Sequence, residues 1–462
     1  MTNVVRKRIQ GMAVLALMGL ILGACRGPGS TPHNPQLTQT PSLRDQPETI
    51  ARETSPTPDV SSSSSEGVFF GYTYHSQTGN RWVDGKGTFP EMERIDIPVG
   101  GVPRWLVVVP YRQGTLWVVV LEEGGVRAFS VLNRDVEEVQ LSARSLPPEM
   151  PPLVVTSGEG IRLVQPPLPE ASGLTHPVVL NPDTGRLVFV TEKGELVLWE
   201  GQREVDRLAL DALPDARILM DGQGRVLLLT DPTRRYPHGV LGDEEEAASV
   251  TLLDTEPELK VIHRINISRP GVIEGIIPLW VDVNGDQARE ILVTVSDPEN
   301  GARLVLYAED GEVLAEGPGV GQGFRWRHQI AAAPLGPVGE MEVVDVLTPH
   351  IGGKVEYFRW QDDVLKKQAE VSGYSSHGIG SRNLDMALAG DFDGDGSGEV
   401  LVPVQTRDAL AAVRHSKQEA REVWSLTVGQ RITTNLAGVY LPGEGIALGV
   451  GHEGQGLRLW LP

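Results

Sequence analysis

From about residue 67 to the C-terminus the chain is a succession of short apolar runs broken by Gly, Pro, Asn and Asp. Runs such as 104–109, 115–121, 195–200 and 399–404 have strand length, are rich in Val and Leu, and are too short for buried helices. The 53 Gly and 34 Pro supply the turns that so many short strands need. Residues 243–248 form the single short stretch that reads ambiguously as helix. With 40% hydrophobic residues the chain can bury a substantial core, so the expectation is an all-β fold.

The strand candidates fall into groups of three or four. Anchored on the second strand of each group, Glu290, Met341, Glu399 and Ile446 mark units spaced roughly 50 residues apart, a period typical of repeat architectures. Four-stranded units of this size bury both faces only when they stack against neighbours around an axis. The last group, 434–440, 446–450 and 457–461, has only three strands. A closed ring needs its fourth from the N-terminal side, and 93–99 (ERIDIPV) alternates correctly to provide it. About seven units are expected, with eight, or six plus a hairpin, as alternatives; 148–169 has no assigned place.

The N-terminus reads as a processing signal. Arg6, Lys7 and Arg8 precede an apolar stretch, 12–22, that is short for a membrane span. It ends in Leu22-Gly23-Ala24-Cys25, which resembles the bacterial lipobox. That resemblance implies removal of residues 1–24, acylation (palmitate included) of Cys25, and anchorage in the lipid bilayer of a bacterial cell membrane, facing its extracytoplasmic side. Cys25 is the only cysteine, so no internal disulfide exists. Residues 25–66 are rich in Pro, Ser and Thr and lack apolar periodicity, the composition of a disordered tether. The remainder, 67–462, is one folded domain. The whole chain's 61 acidic against 41 basic residues, a net charge of −20, argue against nucleic-acid binding.

Two stretches carry regularly spaced acids: DFDGDGSGEVLVPV from Asp391, and DVNGDQAREILVTV from Asp282. Acids at alternate positions of a tight loop suit calcium, which takes six to eight hard oxygen ligands. An EF-hand is excluded, because its twelfth position falls on Val402, inside a strand. The loop-plus-strand pattern instead resembles the FG-GAP/VCBS repeats of integrin-α-like β-propellers, whose loops join the first two strands of a blade and bind calcium. The resemblance implies a single β-propeller. It further implies Ca2+ ligation by the side chains of Asp391, Asp393, Asp395 and Glu399 with the Ser397 carbonyl. In the weaker copy the matching residues are Asp282, Asn284, Asp286 and Glu290, with Gln287 standing where the first loop has Gly396.

Catalytic patterns are absent: the ten histidines are scattered, and no H-E-x-x-H, C-x-x-C or P-loop occurs. Gly373-Tyr374-Ser375-Ser376-His377-Gly378 lacks the G-x-S-x-G elbow and reads as an inter-blade loop. Arg325, Trp326 and Arg327, between Phe324 and His328, form the one cation–aromatic cluster with the character of a ligand-binding surface, although a lone Trp in a repeat more often packs in the core. The functional expectation is a membrane-tethered, calcium-stabilised module that binds or scaffolds a protein or glycan of the cell envelope. The alternative is a propeller enzyme acting on polysaccharide or another cell-surface substrate.

Overall fold

The computed structural model describes residues 67–73, 81–158, 160–417 and 419–462; the leader, Cys25 and the tether lie outside them. Seven units, each built on a four-stranded antiparallel meander, follow one another along the chain, in regions 103–139, 178–209, 219–266, 272–316, 327–372, 388–427 and 437–461, here blades 1 to 7, the last supplying three strands of its four. No helix occurs among the described residues, and 243–248 is no exception, since the strand Glu246–Asp254 begins within it.

Each second strand is buried on both faces, as in Gly114–Leu121, Glu290–Ser296 and Gly445–His452. That is why these strands read as continuous apolar runs rather than alternating ones. Outer strands such as Asp135–Val139 and Lys260–Asn266 are exposed along most of their length. Cores form between blades: Leu401 and Leu410 of blade 6 pack with Ile446 and Leu448 of blade 7. Trp117 of blade 1 packs with Leu457 and Leu459 of blade 7. Burial of each such side chain stabilises by roughly 1.5–3 kcal/mol, which no blade obtains alone. At Gly449 the blades approach so closely that a Cβ would lie 2.4 Å from the Trp117 ring.

The ring closes as the missing strand required. Glu93–Pro98 pairs antiparallel with Gly456–Leu461 over six residue pairs, from Glu93↔Leu461 to Pro98↔Gly456, and completes blade 7. The stretch 148–169 contains Val154–Ser157 and Gly160–Leu163, a hairpin wedged between blades 1 and 2. Its first strand pairs with Phe69–Gly71, giving a small three-stranded sheet beside the seven blades.

The N-terminal strands line the inside of the ring. Phe69–Gly71 runs against the hairpin, and Trp82–Lys86 runs parallel to Leu388–Asp391, the inner strand of blade 6. Inner strands run from the face that carries the blade-to-blade connections (the upper face) to the opposite, lower face. The antiparallel Phe69–Gly71 therefore climbs from the lower face, and Trp82–Lys86 descends to it. Arg81, at the start of the descent, forms a buried ion pair with Asp385 at 2.8 Å. Gly85 has φ +83° and a Cβ there would meet the Tyr440 ring, so both backbone and space demand glycine.

Candidate functional site

Two places concentrate chemistry. On the lower face, the loop after Asp391 joins the first two strands of blade 6, and the loop after Asp282 does so in blade 4. The two loops share one hydrogen-bonding plan. The N–H of Gly396 donates to Asp391 Oδ2 at 3.1 Å, and that of Gln287 to Asp282 Oδ2 at 2.9 Å. The N–H of Asp395 donates to Asp393 Oδ1, as Asp286 does to Asn284 Oδ1. The N–H of Ser397 donates to Asp395 Oδ1, as Ala288 does to Asp286 Oδ1. The N–H groups of Phe392 and Val283 donate to Glu399 Oε2 and Glu290 Oε2, at 2.9 and 2.7 Å. In the first loop one oxygen of each of Asp391, Asp393, Asp395 and Glu399 thus shapes the turn, which leaves the other for a further partner. Positive φ at Gly394 and Gly396 is matched by Gly285 and Gln287; the glutamine tolerates a strained conformation that glycine adopts freely.

The loops differ in how the remaining oxygens are used. Asp391, Asp393 and Asp395 bring three carboxylate oxygens within 4.8 Å of one another. Arg414 donates to Asp393 Oδ2 and Asp395 Oδ2, both at 2.7 Å, and to Glu399 Oε1. Lys86 lies 3.3 Å from Asp391 Oδ2. Asp391 itself is 7% exposed, and its Oδ1 has no hydrogen-bond partner. A buried anionic oxygen without a partner is expensive, and a hard cation with several vacant positions matches such a donor set. The residues of the Asp391 loop therefore fit calcium. In the other loop both Asp282 oxygens accept backbone N–H groups, and the Asn284 amide donates to Asp286 and Glu290. Burial, reinforced by Asp286 and Asp282, raises the Glu290 pKa. That loop balances its acids from within.

The upper face holds a funnel of about 540 Å³, lined by side chains from blades 1, 5, 6 and 7, among them Arg104, His350, His377, Arg407 and Arg431. Beside it Trp326 stacks on His328 at 5.0 Å and stands edge-on to His377 at 5.1 Å. His377 donates from Nε2 to the Ser381 carbonyl at 2.6 Å, which leaves Nδ1 to accept from His350 Nε2 at 2.7 Å. Burial lowers the His377 pKa to about 3 and that of His350 to about 4, so both rings are neutral at pH 7. Behind them Glu274 accepts from the Ser296 hydroxyl and pairs with His238. Glu246 is pushed up to about 9, first by burial and then by the Glu274 charge.

The expected Arg325–Trp326–Arg327 surface is not assembled. Trp326 is 2% exposed and donates its indole N–H to the Glu274 carbonyl. Arg327, inside the strand Arg327–Pro334, is buried against Asp345 at 2.8 Å and Glu356 at 2.5 Å. Arg325 is exposed and turns back onto the Val320 carbonyl. The reason is the adjoining inner strand, whose burial takes in Trp326 and Arg327 and leaves Phe324 and Arg325 outside. On the upper-face connections the exposed apolar side chains are instead Phe324, Ile351 and Ile379, at 51%, 84% and 77%; others, such as Val338, lie elsewhere. Ile351 and Ile379 sit on loops that line the funnel, beside His350 and Gly378. Sequence reasoning missed the convergence of His238, His328, His350 and His377. Its only trace is that each falls on or beside an upper-face connection.

No protein-family model and no curated protein matches the chain. Among solved structures, the WD40 beta propeller domain of Doa1 aligns at 9% identity and a TM-score of 0.37, over 79% of this chain and 96% of that one. BBS1N, from a crystal structure of its complex with ARL6DN, aligns at 10% identity and a TM-score of 0.42, over 82% and 97%. With its radial four-stranded sheets and strand-exchanged closure, the chain is a β-propeller.

Proposed function

We propose that this propeller is a membrane-tethered binding or scaffolding module that engages a protein partner through its upper face. The observation that carries this reading is the funnel with Ile351 and Ile379 exposed on its loops and Arg407 and Arg431 on its wall. An apolar patch with a polar rim is the usual form of a protein-binding surface. An enzyme acting on polysaccharide would instead need acids converging on the cavity. The lining carboxylates are Glu122 and Glu453, both exposed, while Glu246 and Glu274 are sealed at 3% and 1%.

Tethering through acylated Cys25 and stabilisation of the Asp391 loop by calcium complete the proposal, in keeping with the FG-GAP/VCBS-like motif. The tether is tested by metabolic labelling: palmitate should stay with the wild-type chain and be lost in Cys25→Ala. Equal labelling of both would remove the anchor. The binding reading is tested by capture from envelope extract with residues 67–462. Turnover of a glycan substrate without capture of a protein would favour the enzyme.

A further inference from the structure

The Asp391 loop has cations of its own, and this bears on how it would take a metal. Four carboxylates meet Arg414 and Lys86, which leaves a formal charge of −2. The guanidinium reaches Asp393, Asp395 and Glu399 but not the buried, unpartnered Oδ1 of Asp391. A divalent ion would supply the missing charge and a partner for that oxygen, yet its other ligands are the carboxylates that Arg414 holds. The position of Arg414 is set by register. Val400 pairs with Val413, so Glu399 and Arg414 are the next cross-strand neighbours. In blade 4, where Ile291 pairs with Tyr307, the neighbour of Glu290 is Ala308, and the Asn284 amide takes over the acids.

We propose that Arg414 and calcium compete for the 391–399 loop, with Arg414 the resident counter-ion in the metal-free chain and displaced when calcium binds. This rests on the calcium reading of the loop given above. The exchange has a structural neighbour. The Gly87 N–H donates to the Asp391 carbonyl at 2.8 Å, and the Phe89 N–H to the Phe392 carbonyl at 3.0 Å, so the loop fastens the descending N-terminal strand where it leaves the ring. Gly87 has no room for a side chain, since a Cβ there would lie 2.1 Å from the Phe392 carbonyl oxygen. A change of cation is thereby read out at residues 82–89.

The test is titration of the full chain, in detergent, with calcium chloride, followed by calorimetry and by the luminescence of terbium, which Trp82 beside Gly398 is placed to sensitise. Wild type should bind. Arg414→Gln should bind at least tenfold tighter and should melt lower than wild type in chelator but not in saturating calcium. Arg414→Lys, which keeps the charge without the fork that bridges three carboxylates, should fall between them and serves if the glutamine variant does not fold. Hydrogen exchange at residues 82–89 should slow on calcium addition. Equal affinity of wild type and both variants would overturn the competition while leaving the calcium site standing. Absence of binding by wild type and variants alike would overturn the calcium reading itself.

Discussion

Burial sets the charge state of the residues around the upper face, and it does so in opposite senses for His377 and Glu246. The His377 pKa falls from 6.5 to about 3, so the folded state binds fewer protons than the unfolded chain between those values. Its contribution is fully present above pH 6.5 and is lost as the pH falls towards 3, an effect of about 2 kcal/mol at pH 5. The melting temperature should therefore drop between pH 7 and pH 5, and His377→Asn should shrink that drop. An unchanged drop would show that the imidazole is not responsible. Glu246 acts the other way. Its pKa rises from 4.5 to about 9, so the folded state retains a proton that the unfolded chain releases, and stability is lost as the pH climbs through that window. Glu246→Gln should raise stability by about a few kcal/mol at pH 8 and leave it unchanged near pH 4. A gain equal at both pH values would point to packing instead of charge. Neither group stands out in the sequence, because its shift comes from neighbours in other blades or far along the chain.

The strand that closes the ring was legible and the strands inside it were not. ERIDIPV alternates, and a three-stranded final unit demands a fourth, so two independent patterns met at 93–98. Ile97 points into the core shared by blades 7 and 1 and is 4% exposed. Ile97→Ala should cost about 2–4 kcal/mol in a thermal or denaturant melt. A change below about 0.5 kcal/mol, the usual size at surface positions, would mean that closure does not depend on this strand's packing. By contrast Phe69–Gly71 and Trp82–Lys86 are short and glycine-containing, and one pairs parallel to a strand about three hundred residues away. No local pattern encodes such a partner. The two acidic loops were legible because their spacing is strict. The partner of the first loop, Arg414, was not, since only the register of the third strand places it beside Glu399. The cluster at 324–328 misled because composition suggests a surface, whereas the adjoining strand buries Trp326 and Arg327.

At the scale of the whole molecule the two faces carry different features. The lower face carries the acidic loops and the fastening of the N-terminal strands; the upper face gathers the funnel, the four clustered histidines and the exposed Phe324, Ile351 and Ile379. Substitutions on one face should therefore leave the other's function intact. The measurement that tests this account most directly is quantitative capture from envelope extract by residues 67–462, comparing wild type, Ile351→Glu/Ile379→Glu and Arg414→Gln at equal folded concentration in calcium. The account predicts a protein partner enriched by wild type and by Arg414→Gln, and reduced at least tenfold by the Ile351→Glu/Ile379→Glu pair. Equal capture by all three proteins, or loss confined to Arg414→Gln, would contradict an upper-face binding module.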